Sequence, residues 1–214
     1  MLHLLRPGQS DQESARSILN DEELARAARF RFAPDADAWI AWRAGLRRAL
    51  ASYVEVDPEN VPIRLGESEK PVLDSPFRSL HFNLSHARDL AAVIVSGDGP
   101  VGIDVEPLDR ATALSEVREE FCHAKEIRDL PADPSTRERA LLGIWVAKEA
   151  LLKALGSGLA VPPRQLWLDG VRGRSEPVIP GLLALKLATP VDLPTHLLAT
   201  AVPLSVDRFD IIDH

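Results

Sequence analysis

Val101-Gly102-Ile103-Asp104-Val105-Glu106-Pro107 alternates apolar residues with two carboxylates and stops at a proline. Period-two alternation predicts a β-strand. Residues two apart on a strand face the same side, roughly 6–7 Å apart, so Asp104 and Glu106 share a face. Carboxylates this close repel each other unless a cation joins them. An all-oxygen pair suits Mg²⁺, with phosphate oxygens completing the shell. An Asp-x-Glu at a strand end can also leave both carboxylates in solvent, and taken alone that is the commoner outcome. The residues on either side decide between the two.

Working outward on the N-terminal side, Leu80–Leu84 and Leu90–Ser96 read as strands, with Ser85-His86-Ala87-Arg88-Asp89 as the turn between them. Ser96-Gly97-Asp98-Gly99-Pro100 is a tight turn, so residues 80–106 read as an antiparallel meander. Further back, Asp35–Tyr53 is an amphipathic helix. Its Trp39, Trp42, Leu46, Leu50 and Tyr53 recur at helical spacing and read as core. Asp11–Phe30 reads as helix in two pieces, the second capped by Asn20 with Glu23 three residues on. Residues 1–10 suggest a first strand ended by Pro7-Gly8, and Val61–Leu65 another, followed by a polar turn over 66–70. Six arginines fall between positions 26 and 48. Any one of them reads by default as solvated, but together they suggest a basic patch for a phosphorylated ligand.

On the C-terminal side the pattern turns helical. Leu114–Phe121 and Ala124–Leu130 are short pieces, and Ser135–Leu155 is the longest helix, ended by Gly156-Ser157-Gly158. Glu149 and Lys153 lie four apart and share a face. Alone they would be a surface ion pair worth roughly 0.3–0.5 kcal/mol. On a helix this rich in Leu and Ala they can also join the strand carboxylates, as a third metal ligand and a phosphate clamp. Glu126 reads as an ordinary helix-surface glutamate and Cys122 as a small core residue. Gln165–Leu168, Ala184–Ala188 and Leu197–Val202 are candidate strands, with a last short one in Asp207–Ile212. His196–Val202 loosely echoes Asp89–Val95. That echo suggests two similar halves, 1–104 and 105–214, with the carboxylate strand at their junction, a preferred place for a ligand.

Composition narrows the function classes. The net charge of −7 argues against general nucleic-acid binding. A single cysteine excludes an internal disulfide framework and suits a reducing compartment. The apolar run at the N-terminus is too short for a signal peptide, and no segment approaches the ~20 apolar residues of a membrane span. The expectation is a cytoplasmic protein.

Several motifs agree in order and spacing: His81-Phe-Asn83-Leu-Ser85-His86, Gly102-Ile-Asp104-Val-Glu106, Phe121–Glu126, and Trp145-Val-Ala-Lys148-Glu149-Ala-Leu-Leu-Lys153-Ala-Leu-Gly156-Ser-Gly158-Leu159. This ordered set resembles the 4′-phosphopantetheinyl transferases, most closely the double-length type like the surfactin-synthetase-activating enzyme. The similarity covers roughly residues 24–160. The resemblance implies an α+β chain of two pseudo-symmetric halves, each an antiparallel sheet packed with helices, acting as a monomer with coenzyme A in the cleft between them. It implies transfer of the phosphopantetheine arm of coenzyme A to a serine of an acyl or peptidyl carrier protein, releasing adenosine 3′,5′-bisphosphate.

By the same resemblance Asp104, Glu106 and Glu149 are similar to Mg²⁺ ligands and Lys153 to a pyrophosphate contact. Ser85, His86, Arg26 and Arg29 match positions that hold the coenzyme A phosphates. Lys70 matches a lysine near the nucleotide, and Glu126 a glutamate of the site. Lys153 and His86 would stabilise charge on the phosphates. The base for the carrier serine is left open among Glu149, Glu126 and a metal-bound hydroxide. Cys122, Glu69 and Ala38 depart from the common pattern at positions outside the implied metal set. A carrier-binding protein without turnover and a Mg²⁺-dependent phosphohydrolase are the competing classes.

Overall fold

The computed structural model of the chain describes residues 1–6, 12–66, 70–157, 160–169, 172–175, 179 and 181–214. The expected turn at Pro7-Gly8, most of that at 66–70 including Glu69, and Gly158 and Leu159 lie outside them. In the first half, β1 is Leu2–Leu5, α1 Gln12–Ser17, α2 Asp21–Ala27 and α3 Ala33–Val54. Then come β2 Ile63–Leu65, β3 Pro71–Leu73, β4 His81–Ala87 and β5 Leu90–Ser96. The second half comprises β6 Gly102–Pro107, α4 Ala111–Glu116, α5 Arg118–Phe121, α6 Ala124–Arg128 and α7 Pro134–Leu155. It ends with β7 Leu166–Asp169, β8 Arg172–Ser175, β9 Leu185–Ala188, β10 His196–Pro203 and β11 Ile211–Asp213.

Among the described residues the strands form a four-stranded sheet ordered β11-β1-β5-β4 and a three-stranded sheet ordered β6-β10-β9, with two small hairpins, β2-β3 and β7-β8. All pairings are antiparallel except β1 with β11. The two larger sheets face each other. Leu2, Leu4, Leu90, Ala92 and Ile94 from one meet Val101, Ile103, Val105, Leu198 and Val202 from the other in one core. The far face of the first sheet, with Ala91, Val93 and Val95, packs on Leu46, Leu50 and Val54 of α3. The far face of the second, with Leu187, Ala199 and Ala201, packs on Val146, Ala150 and Leu151 of α7. Each sheet is buried on both faces, so β5 is apolar throughout instead of alternating. The chain is thus α+β, with two halves of matching layer order and with β5 and β10 central in their sheets.

Three expectations are corrected. Residues 80–106 are not one meander, because β6 leaves β5 and pairs from Gly102 to Pro107 with β10. Ser85 and His86 are not in a turn. They belong to β4, paired with Ala92 and Ala91, and the turn shrinks to Arg88-Asp89, where Arg88 takes a positive φ of 53°. Strands β3 and β8 were not expected at all; each is short and lies in a two-stranded hairpin where little apolar pattern is needed.

Helix ends follow local chemistry. Asn20 and Glu23 close a reciprocal capping box on α2. The Asp133 carboxylate accepts from the Thr136 N–H at the start of α7, and Gly156, at φ 68°, ends it. Among the described residues no helix is long and apolar enough to cross a membrane.

Candidate active site

The site lies where β4 runs beside β6 without a backbone ladder. Asn83 and Ser85 of β4 substitute side chains for that ladder. Asn83 Oδ1 accepts from the Ile103 N–H at 3.0 Å and Ser85 Oγ from the Val105 N–H at 3.4 Å. Ile103 and Val105 therefore turn into the inter-sheet core, and Asp104 and Glu106 turn the other way, toward α7.

Helix α7 crosses β6 in close contact at Gly102. A Cβ there would lie 2.0 Å from the Ala150 carbonyl oxygen and 2.5 Å from the Ala154 nitrogen. Only glycine permits this approach. The approach carries Lys153 onto Asp104: its ammonium donates to Asp104 Oδ1 at 2.6 Å and to Ser85 Oγ at 3.0 Å. Ser85 Oγ in turn donates to Asp104 Oδ1 at 2.8 Å. Lys70, just before β3, donates from Nζ to the Lys153 carbonyl at 2.5 Å, tying the first half to the end of α7.

Asp104 is 4% exposed. Its second oxygen, Oδ2, and Glu149 Oε1 are buried and have no hydrogen-bond partner. Glu106 is half-buried and better served, by Arg110 at 3.0 Å and the Trp145 indole N–H at 3.3 Å. Burial first, then the charge of Asp104, pushes the carboxyls of both Glu106 and Glu149 above the usual range, opposed by Arg110 and Lys153. Burial, then Lys153, holds Lys70 below an ordinary lysine. His86 is lowered by burial and then by Lys153, with Asp104 opposing.

Among the described residues no three His, Cys, Asp or Glu side chains form a closed metal shell. The donor set nevertheless fits a hard cation held partly by a ligand. Two buried carboxylate oxygens without partners, in mutual repulsion, suit Mg²⁺, which usually keeps water and substrate phosphate in its shell.

Beside this cluster lies a cavity of about 180 Å³ lined by Arg26, Trp39, Trp42, Arg43 and His86, among others. Arg26 continues into a more open groove with Arg29 and Phe30. The arginine patch is narrower than expected. Arg47 is 1% exposed and donates to Glu23 at 2.8 Å and to the carbonyls of Pro58, Glu59 and Val61. Arg43 is paired with the same Glu23. Both arginines dock α2 on α3, leaving Arg26 and Arg29 among the exposed ones. The Trp–Leu stripe also divides: Leu46 and Leu50 are core, whereas Trp39 and Trp42 line the cavity.

Glu126 is not a surface glutamate. It is 7% exposed and bonded to the fully buried Lys148 at 2.6 Å. Its oxygens also accept the N–H groups of His123 and Leu168, each at 2.8 Å. Lys148 completes its set with the Phe121 carbonyl at 2.8 Å. This pair ties α6 and β7 to α7, separately from the contacts around Asp104. Sequence reading missed Lys148, because periodicity places it on the helix without saying that the helix is covered there. Cys122 is buried nearby, its thiol pushed up to about 12 chiefly by that burial.

The family model "4′-phosphopantetheinyl transferase superfamily" matches residues 100–178, and "4′-phosphopantetheinyl transferase, N-terminal" matches residues 5–97. The chain belongs to the 4′-phosphopantetheinyl transferase superfamily. The two matches meet in the loop before β6, and each takes in one of the two larger sheets' central strands or the helix that covers it.

The chain is 34% identical over 157 residues to the 4′-phosphopantetheinyl transferase HetI of a Nostoc species, covering 71% of this chain and 65% of that protein. It is 29% identical over 125 residues to the transferase gsp of Aneurinibacillus migulanus, covering 58% and 50%. A 4′-phosphopantetheinyl transferase of Bacillus subtilis is 27% identical over 159 residues, covering 74% and 68%. The chain thus spans roughly half to two thirds of the length of these relatives.

Proposed function

We propose that this member of the superfamily is a Mg²⁺-dependent holo-carrier-protein synthase. It moves 4′-phosphopantetheine from coenzyme A to a serine of an acyl or peptidyl carrier protein and releases adenosine 3′,5′-bisphosphate. The observation that carries the reading is the pair of unpartnered buried oxygens, Asp104 Oδ2 and Glu149 Oε1, beside the Lys153 ammonium. That arrangement suits an anionic ligand that brings its own oxygens to a shared cation. Asp104, Glu149 and Glu106 would hold the ion.

In the reaction the serine oxygen bonds to the phosphorus bearing the pantetheine arm. The bond from that phosphorus to the bridging oxygen breaks, and adenosine 3′,5′-bisphosphate leaves. Asp104, Glu149 and Glu106 would hold Mg²⁺ where it would neutralise charge on the phosphate oxygens. Lys153, held by Asp104 and Ser85, presents its ammonium to the same oxygens. His86, Arg26 and Arg29 border the adjoining cavity and groove and hold the nucleotide phosphates. Lys70 fixes the end of α7 through the Lys153 carbonyl. The serine proton passes to a carboxylate. Glu149, whose carboxylate borders the ion site, is better placed to take it than Glu126, whose oxygens are held by Lys148, His123 and Leu168. Reaction inside a cytoplasmic monomer belongs to the same reading.

Intact-protein mass spectrometry of apo-carrier proteins incubated with this protein, coenzyme A and Mg²⁺ tests it. The expected result is a gain of one phosphopantetheine group that EDTA abolishes. Coenzyme A cleaved without carrier modification would instead identify a phosphohydrolase. Tight carrier binding with intact coenzyme A would identify a binding protein.

A further inference from the structure

Trp42 of α3 and His86 of β4 are stacked face to face, with ring centroids 3.8 Å apart and planes inclined by 15°. This is closer than an ordinary aromatic pair, and it joins a helix to a strand at the wall of the cavity. The spacing has a direct consequence. No third ring fits between the two, so that face of Trp42 is not a platform for a nucleobase. The imidazole already occupies it.

The surroundings of His86 explain what the stack does. Ser85, its neighbour on β4, is fixed by Asp104 and Lys153. The backbone at 86 is fixed by the pairing with Ala91. His86 as a residue keeps an exposed side while part of its ring is buried, and its side-chain torsions are free unless something covers one ring face. Trp42 covers it. The indole in turn is anchored in the core that joins α3 to the first sheet. Its Nε1 is buried without a hydrogen-bond partner, so no polar bond sets the position of Trp42. Packing against Leu46, Leu50 and their neighbours sets it instead.

We propose that Trp42 is a positioning residue of the nucleotide site: its stack with His86 holds the imidazole edge toward the cavity shared with Arg26, ready to donate to a phosphate of coenzyme A. The inference rests on the transferase reading. It adds a residue that touches neither phosphate nor metal and acts only through His86. A pre-oriented donor gives up less side-chain freedom on binding, so the stack acts on coenzyme A affinity more than on the chemical step.

The test is a double-mutant cycle on coenzyme A affinity by calorimetry, with thermal melting as the folding control. Trp42→Ala should weaken coenzyme A roughly 3- to 10-fold, the scale of one aromatic pair, and raise KM by the same factor with kcat changed less than about twofold. Trp42→Phe, which keeps a flat ring, should restore affinity to within about twofold, whereas Trp42→Leu should not. In a His86→Ala background, Trp42→Ala should cost nothing further. NMR of the His86 ring should show that Trp42→Ala removes its ring-current shift. Penalties that multiply in the double variant, rescue by Leu as well as by Phe, or unchanged affinity in Trp42→Ala would each overturn the role of the stack. Wild-type protein that binds no coenzyme A would overturn the transferase reading instead, and this inference with it.

Discussion

Gly102 lies directly under Ala150: a Cβ on the strand residue would meet the helix carbonyl at 2.0 Å. The neighbouring atom is backbone, so no rotamer change relieves it. Gly102→Ala is expected to push α7 off β6 and lower stability by about 3 kcal/mol or more. Urea unfolding measures this. Ala150→Gly should not rescue it, because the carbonyl remains. A variant as stable as wild type would mean that the helix and strand lie farther apart than described.

Lys148 and Glu126 form a buried ion pair with three further backbone partners, the His123 and Leu168 N–H groups and the Phe121 carbonyl. Truncating Lys148 leaves a carboxylate with no counter-charge. Lys148→Met should therefore cost roughly 3–5 kcal/mol, read as a shift in the urea midpoint at pH 7. Glu126→Gln in the Lys148→Met background should recover part of that loss, since it removes the stranded charge. Strictly additive losses would show that the two groups do not act as a pair.

The arginines divide by role. Arg26 and Arg29 are exposed beside the cavity and groove, whereas Arg47 is held by Glu23 and three carbonyls. Arg26→Ala with Arg29→Ala should weaken coenzyme A binding roughly tenfold or more and leave the melting temperature within a few degrees. Arg47→Ala should lower stability by about 3 kcal/mol. Calorimetric titration and thermal melting separate the two. A stable Arg47→Ala protein with lost binding would reverse the assignment.

His3 gives a pH signature unconnected with activity. It is 2% exposed, hydrogen-bonded to His214 at 2.9 Å and to the Tyr53 hydroxyl at 2.7 Å. Burial first, then His214 and the Met1 amine, lowers its pKa to about 4. Asp210 faces the same region and acts on both the Met1 amine and Tyr53. In the unfolded chain His3 titrates near its ordinary value of 6.5. The unfolded state therefore binds more protons between pH 6.5 and 4. The contribution of His3 is full above pH 6.5 and is lost as pH falls toward 4, on the order of 3 kcal/mol. An NMR titration of the His3 ring should show a midpoint well below that of an exposed histidine; a midpoint near 6.5 would remove the effect.

What could be read beforehand followed from local rules. The capping box at Asn20 and Glu23, the helix read over Asp35–Tyr53 and found over Ala33–Val54, the helix ended by Gly156, and the alternation over 101–107 all depend on residues a few positions apart. The motif order extended that reading to Asp104, Glu106, Glu149 and Lys153 as a set. Spacing did not show that Ser85 and His86 continue β4, because the turn residues Arg88 and Asp89 resemble their neighbours in polarity. Nor did it show that Glu126 is buried, since a charged residue near a helix start looks the same whether or not β7 covers it.

The sequence by itself determined the longer helices, the cap at Asn20, the acidic strand and the helix that meets it, because period, turn chemistry and charge act within one element. Tertiary structure alone decided which charges are spent on folding and which keep an unpaired atom. Arg47, Lys148 and Glu126 are consumed by partners that, at the most distant bonds they make, lie 24, 27 and 42 residues away. Asp104 and Glu149 keep an unpartnered oxygen each because α7 settles onto Gly102. Burial raises the cost of an unpaired polar group, so the fold pairs most of them, and the two oxygens left unpaired on Asp104 and Glu149 are the ones the proposed cation would complete.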